Sequence, residues 1–165
     1  LHTLKRLGYQ VGCGFMVGSP GQETGHLVKE LLFLRRFRPH MVGLGPFIPH
    51  KDTPFGGAPA GTLLMTLKCL ALVRLILPDV LLPATTALGT IAENGTVLGM
   101  QAGANVVMPN LSPVYARRKY MLYDGKAVSG SEAAEGLQLL KERMEAAGYR
   151  VAVSRGDWKG EKNDV

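Results

Sequence analysis

Cysteine is nearly absent: Cys13 and Cys69 are the only two in 165 residues. Two distant thiols cannot build the disulfide framework of a small secreted domain. Neither has a C-x-x-C neighbour or a histidine at ligand spacing, so both read as buried thiols in a reducing compartment, and the expected location is the cytoplasm. Charge is scarce as well, at 19% of residues against 46% hydrophobic. That balance excludes a disordered or collagenous chain and suffices for one core. The net charge of +6 is scattered over single Lys and Arg and the short clusters Arg35-Arg36 and Arg117-Arg118-Lys119. With no aromatic-flanked basic stripe, nucleic acid is not an expected partner. Long hydrophobic runs are missing too. The stretch Leu63 to Leu77 is broken by Lys68 and Arg74 and falls short of the ~20 apolar residues of a span, so it reads as a buried helix and no membrane partner is expected. An initial Met is lacking, and Leu1 to Gly8 reads as the last turns of a helix closed by glycine, which suggests a piece of a longer protein.

What is present alternates. Tyr9 to Val17 is apolar and glycine-dotted, as a buried strand, and is followed by the loop Gly18-Ser19-Pro20-Gly21. Leu27, Leu31 and Leu34, with Val28 and Leu32 beside them, recur at helical spacing until Pro39. A second strand is expected over His40 to Pro49, then a loop through Asp52 to Pro59 and the helix Leu63 to Leu77. Val80 to Thr86 reads as the third strand, Gly95 to Ala102 as a short helix left through Gly103, and Ala104 to Met108 as the fourth strand. Ser112-Pro113 opens a helix carrying Tyr115, Tyr120 and Tyr123. A capping box at Ser129 and Glu132 opens the last helix, closed by Gly148, and Tyr149 to Ser154 is expected as a terminal strand before a frayed tail.

Strands apolar on both faces, each followed by a helix, mean parallel βα units. Two closures satisfy this, an open doubly wound sheet or half of an eight-stranded barrel. Both bind ligands where the C-terminal strand ends meet the βα loops. Those ends are Phe15 to Gln22, Gly45 to Thr53, Ala84 to Thr90 and Met108 to Ser112. The first presents Met16 and a glycine loop, without the G-K-[ST] of a phosphate loop. The second holds Gly45, Pro46, Phe47 and Ile48, a backbone suited to a flat slot for an adenine ring through main-chain groups. His50 lacks a partner for metal ligation, because His40 precedes its strand and belongs at the opposite end of the sheet. Thr85 and Thr86 end the third strand, where alternation sends one hydroxyl inward and the other outward unless the chain bends. Met41 and Met108 add thioethers suited to a soft apolar pocket, or simply to core filling. No Ser-His-Asp set, glycosidase carboxylate pair or zinc motif can be assembled. A pocket of Gly, Pro, Met, Thr and Tyr instead suits a cofactor that carries the hard chemistry.

Five strings occur in order: GFMVGSPGQ, PHMVGLGPFIPHKDTPF, LPATTALGTI, AGANVVMPNLSP and RRKYMLYDGK, followed by the terminal SRGDWKG. Together they resemble the radical S-adenosylmethionine proteins of FeFe-hydrogenase maturation, the HydE family, relatives of biotin synthase and of the methylornithine-forming enzyme. The chain departs from the family at Glu93 to Val97 and at Ser19, on a helix entry and a loop. The resemblance implies an α/β fold, the C-terminal half of a (βα)8 TIM-type barrel with four parallel βα units. Residues 1–165 would then include the biotin and thiamin synthesis associated region and lack the N-terminal cluster-binding half.

In the full-length protein the implied cofactors are S-adenosylmethionine and a 4Fe-4S cluster on a C-x3-C-x2-C loop. That loop is absent here, which leaves no metal ligand in this chain and no catalytic residue to assign. Carried over by motif, Phe47, Ile48 and Met16 would contact S-adenosylmethionine. Met41, Thr85, Thr86, Met108, Tyr120 and Tyr123 would line the substrate cavity. The implied partners are a small-molecule or iron-complex substrate, the missing half of the barrel and other hydrogenase maturation proteins. The chain alone is expected to be inactive. Two alternatives stand beside this one: a biotin synthase-like or methylornithine synthase-like radical enzyme, and a non-catalytic βα binding module.

Overall fold

The computed structural model describes residues 1–109, 111–117 and 133–160. In order, the elements are α1 (His2–Arg6), β1 (Gly12–Val17), α2 (Thr24–Phe37), β2 (Met41–Pro46), α3 (Leu63–Ile76), β3 (Pro83–Ala84), α4 (Thr86–Ile91), α5 (Gly95–Gln101), β4 (Val106–Val107), α6 (Val114–Arg117) and α7 (Ala133–Ala146). Strand β1 pairs in parallel with β2 from Gly12↔Met41 to Val17↔Pro46. Strand β3 pairs in parallel with β4 through Pro83↔Val106 and Ala84↔Val107. A parallel bridge, Met41 to Leu81, joins the two pairs: Val42 N donates to Leu81 O and Leu81 N to His40 O, each at 2.9 Å. The strands thus run side by side in one direction, a mixed α/β arrangement compatible with part of a TIM-type barrel.

The core lies on one side of these strands. Val17, Val42, Leu44 and Leu82 are buried together with Leu27 and Leu34 of α2, Cys69, Leu70 and Val73 of α3, and Leu88 of α4. Strand alternation explains the other side: Gly12, Gly14, Met16 and Gly43 point away from the helices and are exposed. Helix α3 starts where Thr62 Oγ1 accepts from Met65 N at 3.3 Å, a normal N-cap. Thr66, fully buried in that helix, returns its hydroxyl to Thr62 O at 2.8 Å, which satisfies it. At the far end, Arg74 donates to Gly103 O at 2.8 Å and to Pro78 O, tying α3 to the turn after α5.

Several expectations need correction. The third strand is shorter than Val80 to Thr86, because the chain turns into a helix, α4, that the sequence reading did not foresee. Helix α2 buries Leu27, Leu34 and Phe37, while Val28 and Leu32 face solvent. Tyr149 to Ser154 forms no strand, and the tail is docked as far as Trp158 rather than frayed. Glycines close α1 and precede the tail as foreseen, Gly8 and Gly148 both at φ near +84°. Asn110, Tyr120, Tyr123, and the capping box at Ser129 and Glu132, lie outside the described residues.

Candidate functional site

The open face of the strands carries a row of groups at its C-terminal end. Met16 stands opposite Gly45. Continuing the Met41↔Leu81 and Pro83↔Val106 registers places Thr85 beside Gly45 and Met108 beside Thr85. The closeness of Gly45 and Thr85 is direct: a Cβ on Gly45 would lie 2.6 Å from Thr85 Oγ1. Glycine is therefore required here to let the hydroxyl sit over the strand end. Met16 and Met108 flank this pair with 58% and 53% of their surface exposed. Thr85 is the N-cap of α4, yet its side chain makes no capping bond. Its Oγ1 is buried without a hydrogen-bond partner among the described residues.

The bend at Thr85 settles the question raised by two adjacent threonines. Thr85 ends the extended segment and stays over the sheet, whereas Thr86 is the first residue of α4 and is exposed. Met41 stands apart from this row. It opens β2, in register with Gly12 and Leu81, so it belongs to the N-terminal end of the strands, two alternations below Gly45 on the same face. It can line the floor of a cavity but not the rim that Met16 and Met108 share.

Beside the row, the β1 loop is held by one side chain. Gln22 Oε1 accepts from Gly18 N at 2.6 Å, and Gln22 Nε2 donates to Met16 O at 2.8 Å. Gln22 thereby fixes the backbone from which Met16 projects. The sequence reading placed Gln22 in the loop but gave it no role, since its function depends on a turn with Gly18 and Gly21 at positive φ. Phe47 follows β2 and is buried, edge-on to Phe55 with ring centres 6.5 Å apart. Its main chain is already engaged: Phe47 N donates to Val17 O and Phe47 O accepts from Gly61 N, both at 2.8 Å. The main-chain slot expected at Phe47 is thus occupied by the chain itself, and Ile48, the next residue, is half-buried.

His50 faces Asp52 at 3.8 Å in the following loop. Among the described residues no three His, Cys, Asp or Glu gather as a metal site.

An α/β chain with parallel strands, presenting thioethers and a hydroxyl at their C-terminal ends, is compatible with part of a TIM-type barrel, a fold whose ligands bind at that end. No family model matches it. It is 44% identical over 162 residues to the [FeFe] hydrogenase maturase subunit HydE of Thermotoga maritima, a match covering 98% of this chain and 46% of that protein. It is 34% identical over 148 residues to 3-methylornithine synthase of Methanosarcina barkeri, covering 90% of this chain and 41% of that one. On this similarity the chain belongs to the HydE family, and it spans less than half the length of these relatives.

The two cofactors implied by the family fit the described residues differently. A 4Fe-4S cluster does not fit. Cys13, in register with buried Val42, faces the helices, and Cys69 is buried in α3. Burial pushes both thiols above their ordinary range, and the Glu30 carboxylate raises Cys13 further. A cluster needs thiolates, and these two favour the protonated form. S-adenosylmethionine fits in part, because the Thr85 hydroxyl, without a partner among the described residues, and the open space over Gly43 leave both a polar atom and room on the open face.

Proposed function

We propose that this chain is the C-terminal half of a radical S-adenosylmethionine enzyme of FeFe-hydrogenase maturation, supplying the substrate cavity and part of the cofactor site. The observation that carries the reading is the row Met16, Gly45, Thr85 and Met108 on the open face, at the end of parallel strands where such folds bind ligands. Met16, Gly45 and Ile48 would hold the adenosyl part of the cofactor, the first positioned by Gln22. Thr85 and Met108 would face the substrate, a small molecule or iron complex, with Met41 at the floor. When bound and reduced, S-adenosylmethionine supplies one-electron chemistry that no side chain of this row offers. The residues' own work is to bind, to orient through the Thr85 hydroxyl, and to exclude water with thioethers and Phe47. Tyr120 and Tyr123 belong to the proposed cavity by motif alone.

A second reading has its own support. The 34% identity to the 3-methylornithine synthase of M. barkeri keeps an amino-acid-rearranging enzyme on the same scaffold in view. Other maturation proteins as partners, and the remaining half of a barrel, are part of the first reading.

Anaerobic reconstitution with iron and sulfide, followed by size-exclusion chromatography, tests the division of labour. The 165-residue chain should take up no cluster and should self-associate, since its open strand face is uncovered among the described residues. A polypeptide continuing upstream through a C-x3-C-x2-C loop should bind about four irons and S-adenosylmethionine. A stable monomer of this chain that binds about four irons and the cofactor would overturn the reading.

A further inference from the structure

The N-terminal ends of the strands, opposite the candidate site, are joined to the C-terminal tail through one imidazole. His40 immediately precedes β2, and its Nδ1 accepts from Val11 N at 2.7 Å. His40 N in turn donates to Val11 O at 2.8 Å, so residue 40 pairs with Val11 through both ring and backbone. The Trp158 indole lies against the imidazole with ring centres 4.7 Å apart, tilted by 60°. Trp158 is itself pinned on two sides: its N donates to Gln10 Oε1 and its Nε1 to Asp79 O, each at 2.9 Å. Gln10 Nε2 donates to Asp157 Oδ1 at 3.2 Å, and Arg155 pairs with the same carboxylate. Gly160 passes directly over the indole, where a Cβ would strike the ring. Gln10, Val11, His40, Asp79 and Trp158 thus converge from four separate stretches of chain.

We propose that this junction is a pH-sensitive latch, in which the tail from Arg155 to Gly160 stays docked under the strands only while the His40 imidazole is neutral. The acceptor role of Nδ1 fixes the tautomer, with the single ring proton on Nε2. Adding a proton at Nδ1 turns it from acceptor to donor. Two N–H groups then face each other, and the Val11 amide, on a buried residue, loses its partner.

The surrounding charges decide whether that proton can be taken up. From α1, Lys5 stands near and opposes it, its Nζ held by Phe37 O at 3.0 Å and Arg38 O at 2.8 Å. Arg38 caps α2 on the same side. Asp79 lies before β3, and from the tail come Asp157, committed to Arg155, and Lys159. The indole would favour an imidazolium by a cation–π contact only when the charge stands over the ring face, and the 60° tilt works against this. Burial and Lys5 together hold His40 below its ordinary range. The sign follows from linkage. The docked state binds the proton less readily than the released state, so docking is complete above about pH 6.5 and is lost as pH falls through the depressed value. Between the ordinary value and the depressed one, the ratio of docked to released tail falls by up to about tenfold per pH unit, and below the depressed value it levels off.

Trp158 is the only tryptophan of the chain, so it reports on its own docking. Acrylamide quenching of its fluorescence is measured from pH 8 to pH 5 on the 165-residue chain, with far-ultraviolet circular dichroism recorded in parallel. The expected result is a shielded indole above pH 6.5 that becomes quenchable below it while the dichroism holds. His40→Asn places Oδ1 where Nδ1 stood, keeping an acceptor for the Val11 amide, but cannot titrate, and should show no transition. An indole fully quenchable already at pH 8, one that stays shielded throughout, or the same transition in the His40→Asn chain would each overturn the latch.

Discussion

Thr85 is where residue chemistry and the proposed function meet most sharply. A buried hydroxyl without a partner among the described residues costs stability unless something beyond them completes it. Replacing it with valine keeps the β-branched shape and deletes the unsatisfied oxygen. Thr85→Val is therefore expected to leave the melting temperature unchanged or slightly raised. In the longer enzyme, substrate turnover should fall by roughly tenfold, the worth of one to two neutral hydrogen bonds. Thermal melts and turnover measured side by side check this, and a variant that melts normally and turns over normally places the hydroxyl outside the cavity. The sequence marked both threonines but could not rank them, because alternation along a strand says nothing about a chain that bends into a helix one residue later. Met41 shows the opposite failure. Its residue type suited a thioether pocket, but only the register with Gly12 and Leu81 reveals that it sits at the floor rather than the rim.

At the scale of elements, long periodic segments were legible and short ones were not. Helix α3 was expected over Leu63 to Leu77 and is found over Leu63–Ile76, because fourteen residues with a Thr62 cap and a following proline leave little choice. Helix α4 is six residues, TALGTI, with a glycine and three β-branched side chains. Its local propensity points away from a helix, and packing of Leu88 into the core overrides it. The strands were readable as apolar runs but not in their lengths, since β3 and β4 are each only two residues long. Helix α3 also carries the tightest test of the core. Leu70 is fully buried among Val42-side and α2 residues, so Leu70→Ala should cost about 2–5 kcal/mol in unfolding free energy. A denaturant titration showing a loss below about 1 kcal/mol would mean that the helix is not seated as described.

For the molecule as a whole, two ends of one strand set carry two different duties. The C-terminal ends gather Met16, Gly45, Thr85 and Met108 on an open face, and the N-terminal ends receive the tail at His40. The alternation of strands and helices marked the first of these as the ends to search. It could not foretell the second, because the Gln10–Trp158 contact spans 148 residues and no local pattern encodes it. The identity of 44% with a hydrogenase maturase subunit, over 98% of this chain and under half of that protein, supports the proposed radical enzyme. The most direct measurement is anaerobic reductive cleavage of S-adenosylmethionine by the polypeptide that joins this chain to an upstream cysteine loop, read as 5′-deoxyadenosine by chromatography. The account predicts its formation once iron, sulfide and a reductant are supplied. A fully reconstituted protein that binds the cofactor and forms no 5′-deoxyadenosine would contradict it.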